Sequence, residues 1–252
     1  MSARKLRVVQ LYPAEMNIYG DQGNALVLAR RAGLYGFDVS VEAYEPGGDR
    51  RVLETADVML GGGGQDSGQG QVVDDLMAVG PVLRERAAAG VPMLLVCGLY
   101  QLFGHEFRTG AGDVLAGIGV FDATTVAGTK RLIGNVVIDV PGLGHVVGYE
   151  NHSGLTTLNA GQQPLGRVVA GDGNNGRDGG EGARVGNVVG TYLHGPVLPK
   201  NPALADQLLR GAAGLRYGDE VLTTADAAMA AELSRLDAVA ERARAVAAGR
   251  PR

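Results

Sequence analysis

The chain has one cysteine in 252 residues, so no intrachain disulfide can form and a reducing, cytosolic setting is expected. No apolar run approaches the ~18 residues that a membrane-spanning helix needs. Residues 1–10 lead directly into the strand-like Leu6-Arg7-Val8-Val9-Gln10-Leu11, without the pattern of a secretory leader. A basic excess is also missing. Lys and Arg number 23 against 27 Asp and Glu, a net charge of -4, which gives no support for binding nucleic acid or an anionic membrane. No glycine-lysine-serine/threonine triplet occurs, so a phosphate loop is excluded. The glycines at 61–64 fail the dinucleotide spacing as well, because Asp66 stands where the third glycine belongs. Lysine occurs only at 5, 130 and 200, which reads as codon bias toward arginine.

A hydrophobic content of 45% with 20% charged residues suits a soluble protein with a substantial core, and the length fits one large α/β domain better than two small ones. Apolar patterning predicts strands at Leu6–Tyr12, Phe37–Tyr44, Asp57–Leu60 and Val91–Val96. Helical spacing predicts helices at Ala25–Leu34 and Gln71–Ala89, the second broken or restarted at Pro81. Strands alternating with helices imply right-handed crossovers and a mainly parallel sheet. After Gly104 the texture changes. Short β-like runs at Gly119–Val126, Asn135–Val140, Val146–Glu150 and Arg167–Ala170, separated by glycine turns, predict an antiparallel extension. The segment 171–186, rich in Gly, Asn and Asp, reads as a mobile surface loop. A strand at Asn187–Leu193 ends at His194. A helix follows at Asn201–Gly211 with Asn201 as N-cap and Pro202 at its first position, then a long Ala-rich helix at Ala225–Ala248.

The chemistry concentrates where the strand Val91–Val96 stops. Met93-Leu94-Leu95-Val96-Cys97-Gly98-Leu99-Tyr100-Gln101 has the order strand, sharp turn, helix, which lifts a nucleophilic side chain above the end of a sheet. A helix N-terminus beneath the cysteine lowers its thiol pKa, and the same amides can donate to an oxyanion. The alternative for Cys97 is a small buried apolar residue at a strand end. The glycine run 61–64 lies just past another strand's carboxyl end, where α/β ligand sites gather; its amides are available to an oxyanion, or it is a flexible turn. Of the four histidines, His105 and His145 read as structural or exposed, and His152 as a candidate to line a pocket. His194 sits between a β-like run and a glycine-proline turn, pointing at the same crevice as Cys97, and is the best candidate base. No metal-ligand spacing emerges.

Val96–Gly104 together with Gly190–Asn201 resembles class I glutamine amidotransferases of the cobyric-acid-synthase-like group. Met16–Asn24, Gly61–Asp66, Lys130–Asn135, Gly148–Gly154 and Gly190–Pro196 narrow the likeness to the glutaminase subunits of lipid II isoglutaminyl synthases, over residues ~6–210. The resemblance implies a three-layer, flavodoxin-like α/β sandwich over residues 1–214, with 215–252 a helical extension packed on the domain or on a partner. It implies Cys97 as nucleophile, His194 as base, Gln101 and Arg131 as contacts to L-glutamine, with Arg131 on its α-carboxylate, and Gly62 or Gly63 with Gly98 as the oxyanion hole. Asp21 belongs to a loop near the active site. It also implies a heterodimer with a Mur-ligase-like subunit, MurT, which binds ATP and magnesium and carries the lipid II acceptor at the inner face of the membrane.

Two departures stand out. Many class I amidotransferases place a glutamate two residues after the histidine; here that residue is Pro196, which suggests a dyad, with Asp21 and Glu150 the candidates for an orienting carboxylate. Glycines that usually flank the elbow are replaced by Leu95 and Leu99, and a leucine at 99 is expected beside the pocket. Two other functions remain open: a cobyrinic-acid-type amidotransferase component, and a catalytically silent subunit of the same fold.

Overall fold

The structure, a computed structural model, describes residues 4–250. The first half runs β1 (Arg4–Leu11), α1 (Gln22–Leu34), β2 (Phe37–Tyr44), α2 (Arg51–Glu54), β3 (Val58–Gly61), α3 (Asp66–Ala88), β4 (Met93–Val96) and α4 (Gly98–Leu102). The second half runs β5 (Glu106–Arg108), β6 (Val114–Ala116), β7 (Ala123–Val140), β8 (Gly144–Leu158), β9 (Gly166–Ala170), β10 (Gly180–Glu181), β11 (Ala183–Val185), β12 (Val188–Thr191), α5 (Val197–Lys200), α6 (Pro202–Tyr217) and α7 (Ala227–Ala248).

The central sheet has the order β11-β12-β4-β3-β1-β2, parallel throughout except for β11. Its middle strands β3, β4 and β12 are buried at every position, which explains why they read as unbroken apolar runs rather than alternating ones. Helices α1, α5, α6 and α7 form one packed group, and α2, α3 and α4 another. A second sheet, β10-β9-β7-β5-β6 with β8 paired to β7, forms the extension. An antiparallel bridge between Tyr149 on β8 and His194 joins the two sheets.

Several local expectations are corrected. Pro81 does not interrupt its helix; α3 continues through it. The residue before a proline is kept out of the helical region by a clash with its Cβ, and here that residue is Gly80, which has none. The first three β-like runs after Gly104 merge into two long strands, β7 and β8, broken only by a bulge between Ala127 and Leu132, whereas Arg167–Ala170 stands as its own strand, β9. Segment 171–186 is not a loose loop. It contains β10 and β11, and its side chains turn inward to bond the backbone. Asn174 exchanges two hydrogen bonds with Gly182, at 2.9 Å each, and the Glu181 carboxylate accepts from the Tyr192 amide and the Thr191 hydroxyl. Asn201 is the N-cap of α6 and Pro202 its first residue, as expected, but the Asn201 side chain makes no capping bond; it spends its amide on Val147 of β8 and the Val197 carbonyl. A side-chain cap does form on α7, where Asp226 accepts from the Met229 amide.

Helix α6 runs through position 214 without interruption. Helix α7 packs on α1, held by Arg31. This buried guanidinium makes two bonds of 2.7 Å to Asp206 on α6 and one of 2.6 Å to Asp237 on α7. Among the described residues no helix is long and apolar enough to cross a membrane.

Candidate active site

Strand β4 delivers Cys97 to the carboxyl edge of the central sheet in a backbone conformation that side chains rarely adopt, φ +52° and ψ -103°. The strain is held by the sheet: the Cys97 amide donates to the Thr191 carbonyl on β12 at 2.8 Å, and its carbonyl accepts from Gln101 at 3.0 Å. Among the described non-glycine residues only Tyr12 shares a positive φ. Such outliers cluster at functional sites, because surrounding structure must compensate about 1–3 kcal/mol for each.

Leu95 and Leu99 stand where elbow glycines are usual, and the compensation lies on the neighbouring strand. A Cβ built on Gly61 of β3 would overlap Leu99 Cδ1 and come within 3.0 Å of Leu95 Cδ1. The glycine that makes room is therefore on β3. Leu99 is fully buried there and does not line the cleft, contrary to expectation.

A cleft of about 650 Å³ opens over Cys97, lined among others by Tyr19, Gly64, Gln69, Gln101, Arg131 and His152. His194 is brought to the same place by the Tyr149–His194 bridge, whose two backbone bonds measure 2.8 and 3.3 Å. A Cβ on Gly63 would lie 3.0 Å from His194 Cε1 and 3.2 Å from Cys97 Cβ, so both side chains stand against one glycine. Tyr19 covers the imidazole, its ring centroid 4.3 Å away. Both imidazole nitrogens of His194 are buried without a hydrogen-bond partner. Neither carboxylate considered as its orienter therefore bonds it. Asp21 Oδ2 accepts the Gly63 amide at 2.8 Å, and Glu150 accepts the amides of Asp172 and Gly173. Pro196 packs against Gly23 of α1.

Burial dominates the electrostatics. It pushes the Cys97 thiol up to about 12, assisted by the Asp21 charge and opposed by Arg131 and the Gly98 amide. The expected lowering by a helix terminus is overturned, since α4 is only five residues long and the sulfur lies in the core. Burial likewise pulls His194 down to about 3, with His152 and Arg131 acting in the same direction. At neutral pH the pair rests as thiol and neutral imidazole.

Arg131 lies on the bulged part of β7 at the cleft mouth, exposed, donating to the Asn151 side chain at 3.0 Å, the Asn151 carbonyl at 3.1 Å and the Tyr19 hydroxyl at 3.3 Å. These are neutral acceptors that a carboxylate can replace with stronger, charge-assisted bonds. Gln101 reaches the cleft, but its amide is engaged on both sides, accepting from Gln69 at 2.7 Å and donating to the Tyr192 hydroxyl at 3.0 Å. The Gly98 amide faces the sulfur of Cys97. The Gly63 amide is committed to Asp21, whereas Gly64, the last glycine of the run, lines the cleft.

Sequence reasoning also missed Gln69, Tyr19 and Tyr192. Gln69 is a buried polar residue on α3 that clamps Gln101 and the Gly98 carbonyl, and nothing in its local pattern distinguishes it from the exposed glutamines nearby. His152 stacks on Tyr192 at 3.6 Å and donates from Nδ1 to the Gly154 carbonyl at 2.7 Å. His105 pairs with Asp122 at the surface, and His145 is exposed. Among the described residues no three His, Cys, Asp or Glu side chains gather as a metal site.

Comparison with known proteins adds the following. Residues 7–202 match the CobB/CobQ-like glutamine amidotransferase domain. The chain is 38% identical over 209 residues to the lipid II isoglutaminyl synthase (glutamine-hydrolyzing) subunit GatD of Staphylococcus aureus, covering 82% of this chain and 84% of that one. It is 36% identical over 219 residues to the Streptococcus pneumoniae subunit of the same name, covering 86% and 84%. The glutaminase domain of Trypanosoma brucei CTPS, solved with bound acivicin, superposes with a TM-score of 0.56 at 14% identity, covering 86% of this chain and 96% of that one. At that identity the last likeness shows the fold alone.

Proposed function

The chain belongs to the CobB/CobQ-like glutamine amidotransferase family, and from that membership and the geometry above we propose that it is the glutaminase subunit of a two-subunit lipid II isoglutaminyl synthase. The observation that carries the reading is the strained cysteine at the sheet edge, sharing Gly63 as a wall with a buried histidine. Cys97 Sγ attacks the side-chain carbonyl carbon of L-glutamine. The thiol proton passes through His194 to the leaving nitrogen, and ammonia departs, leaving a glutamyl thioester. His194 then takes a proton from water, the resulting hydroxide attacks the thioester, and the proton returns to the sulfur as glutamate leaves. Backbone amides of Gly98 and the glycine loop hold the tetrahedral oxyanion, each donor contributing roughly 3–4 kcal/mol in comparable sites. Arg131 exchanges Asn151 and Tyr19 for the substrate α-carboxylate.

The ammonia needs an activated carboxylate, and activation normally consumes ATP. The partner in this reading is the Mur-ligase-like MurT subunit, which binds ATP and magnesium and amidates the α-carboxyl of D-glutamate in the stem peptide of lipid II. Support for this assignment comes from the two relatives named as subunits of that synthase, each matched over more than four fifths of its length. The neutral resting state of Cys97 and His194 supports a chain that is slow by itself and accelerated by its partner.

The test is ammonia release from L-glutamine by the chain alone and with the candidate Mur-ligase-like partner, beside Cys97→Ser. Cysteine-dependent release that rises with the partner is the expected result. Release unchanged in Cys97→Ser, or none under either condition, overturns the reading in favour of a silent subunit.

A further inference from the structure

The glycine loop that should receive the oxyanion is tied elsewhere. The Gly63 amide donates to Asp21 Oδ2 at 2.8 Å, and the Gly63 carbonyl accepts from the Ile18 amide at 3.1 Å. One segment, Met16–Asp21, therefore grips the Gly63 peptide at both ends. It fits closely: a Cβ on Gly62 would overlap the Met16 carbonyl and come within 2.8 Å of Asp21 Cβ. Asp21 is 5% exposed, and its second carboxylate oxygen, Oδ1, is buried without a hydrogen-bond partner. A buried charge with an orphaned oxygen costs stability, and such a cost points to a role in function. The charged groups facing the Cys97 sulfur are Asp21 and Asp66, which oppose a thiolate, and Arg131, which favours one.

We propose that Asp21 is a latch that holds the Gly63 amide away from the oxyanion position until segment 16–21 moves. This rests on the glutaminase reading above. The mover is built into the same segment: Ile18 is 46% exposed at the cleft, and the Tyr19 hydroxyl accepts from Arg131, the residue assigned to the substrate carboxylate. A carboxylate that takes Arg131, or a partner surface that presses on Ile18, pulls on the segment that holds Gly63. Asp21 is thus a positioning residue, acting through Gly63 and Cys97 rather than on substrate.

The experiment compares Asp21→Ala and Asp21→Asn with wild type, full chain, alone and with the candidate partner, reading kcat and KM for ammonia release and the rate of Cys97 alkylation by iodoacetamide at fixed pH. Asp21→Ala frees the Gly63 amide and removes the charge. It is expected to raise kcat of the chain alone on the order of tenfold, within the ~100-fold that one oxyanion donor supplies, with KM unchanged and the response to partner reduced. Asp21→Asn keeps a neutral acceptor and falls between, while alkylation quickens in both. An unchanged or lower kcat in Asp21→Ala, with wild type active, overturns the latch and leaves the glutaminase reading intact. If no form releases ammonia with or without partner although alkylation responds, the glutaminase reading fails and the latch falls with it.

Discussion

Replacing Asp21 with asparagine is expected to make the protein more stable at neutral pH and to leave its stability unchanged in mild acid. Burial raises the Asp21 carboxyl from its ordinary 3.8 to about 6, a rise that the Gly63 hydrogen bond only partly offsets. A carboxyl whose folded pKa is raised binds its proton more tightly in the folded state, so between these two values the folded state holds more protons than the unfolded one. Stability then falls as pH rises through that window, the reverse of a salt-bridged aspartate. A gap of about two pH units at about 1.4 kcal/mol each amounts to roughly 3 kcal/mol, fully present above pH ~6 and absent below pH ~4. Asparagine has nearly the same shape, retains an oxygen for the Gly63 amide and carries no charge, so it escapes the loss. Urea unfolding of both proteins from pH 4 to pH 8 reads the difference directly, because every other titrating group, including the buried Glu181 raised to about 8, is common to both. Parallel stability curves over that range would refute the claim that Asp21 is ionised at a cost inside the fold.

Cys97→Gly should remove the strain of a side chain at φ +52° and raise the unfolding midpoint, by about 1 kcal/mol after glycine's own entropic penalty, while abolishing ammonia release; a midpoint equal to that of Cys97→Ser would show that the elbow stores no strain. Arg131→Ala should raise KM for L-glutamine at least tenfold with a smaller change in kcat, since a charge-assisted bond to the carboxylate is worth about 1.5–3 kcal/mol; equal losses in kcat and kcat/KM would instead place Arg131 at the reacting carbon. Asn201→Ala leaves the Val147 amide and carbonyl and the Val197 carbonyl without their partners in the core, and should destabilise by about 3 kcal/mol in thermal or urea unfolding, whereas a loss under 1 kcal/mol would mean that water replaces it.

Much of the framework was legible residue by residue. Strand β2 was predicted with its observed limits, and β1, β3, β4 and α1 within a few residues, because apolar runs and 3.6-residue spacing are local and period-specific. The elbow was legible for the same reason: an apolar run, a cysteine and a glycine before a helical start specify a turn whatever lies around it. Segment 171–186 was misread because glycine and asparagine have the same composition in a loose loop as in a segment whose amides fold inward. Only the distant partners, Glu150, Tyr100 and Thr156, distinguish the two.

What the chain's order of residues determined by itself was therefore most of the strands and helices before Gly104, the sharp turn at Cys97 and the nomination of His194. What only the tertiary structure decided was the electrical state and the neighbours of those groups. Burial, not the helix terminus, sets the Cys97 thiol. Gly61 on β3 makes room for Leu99, and Asp21, 42 positions away from Gly63, takes its amide. The reason is physical: backbone preference and amphipathic period are properties of adjacent residues. Dielectric, desolvation and hydrogen-bond competition are set by segments far apart in sequence that the fold alone brings within 3 Å.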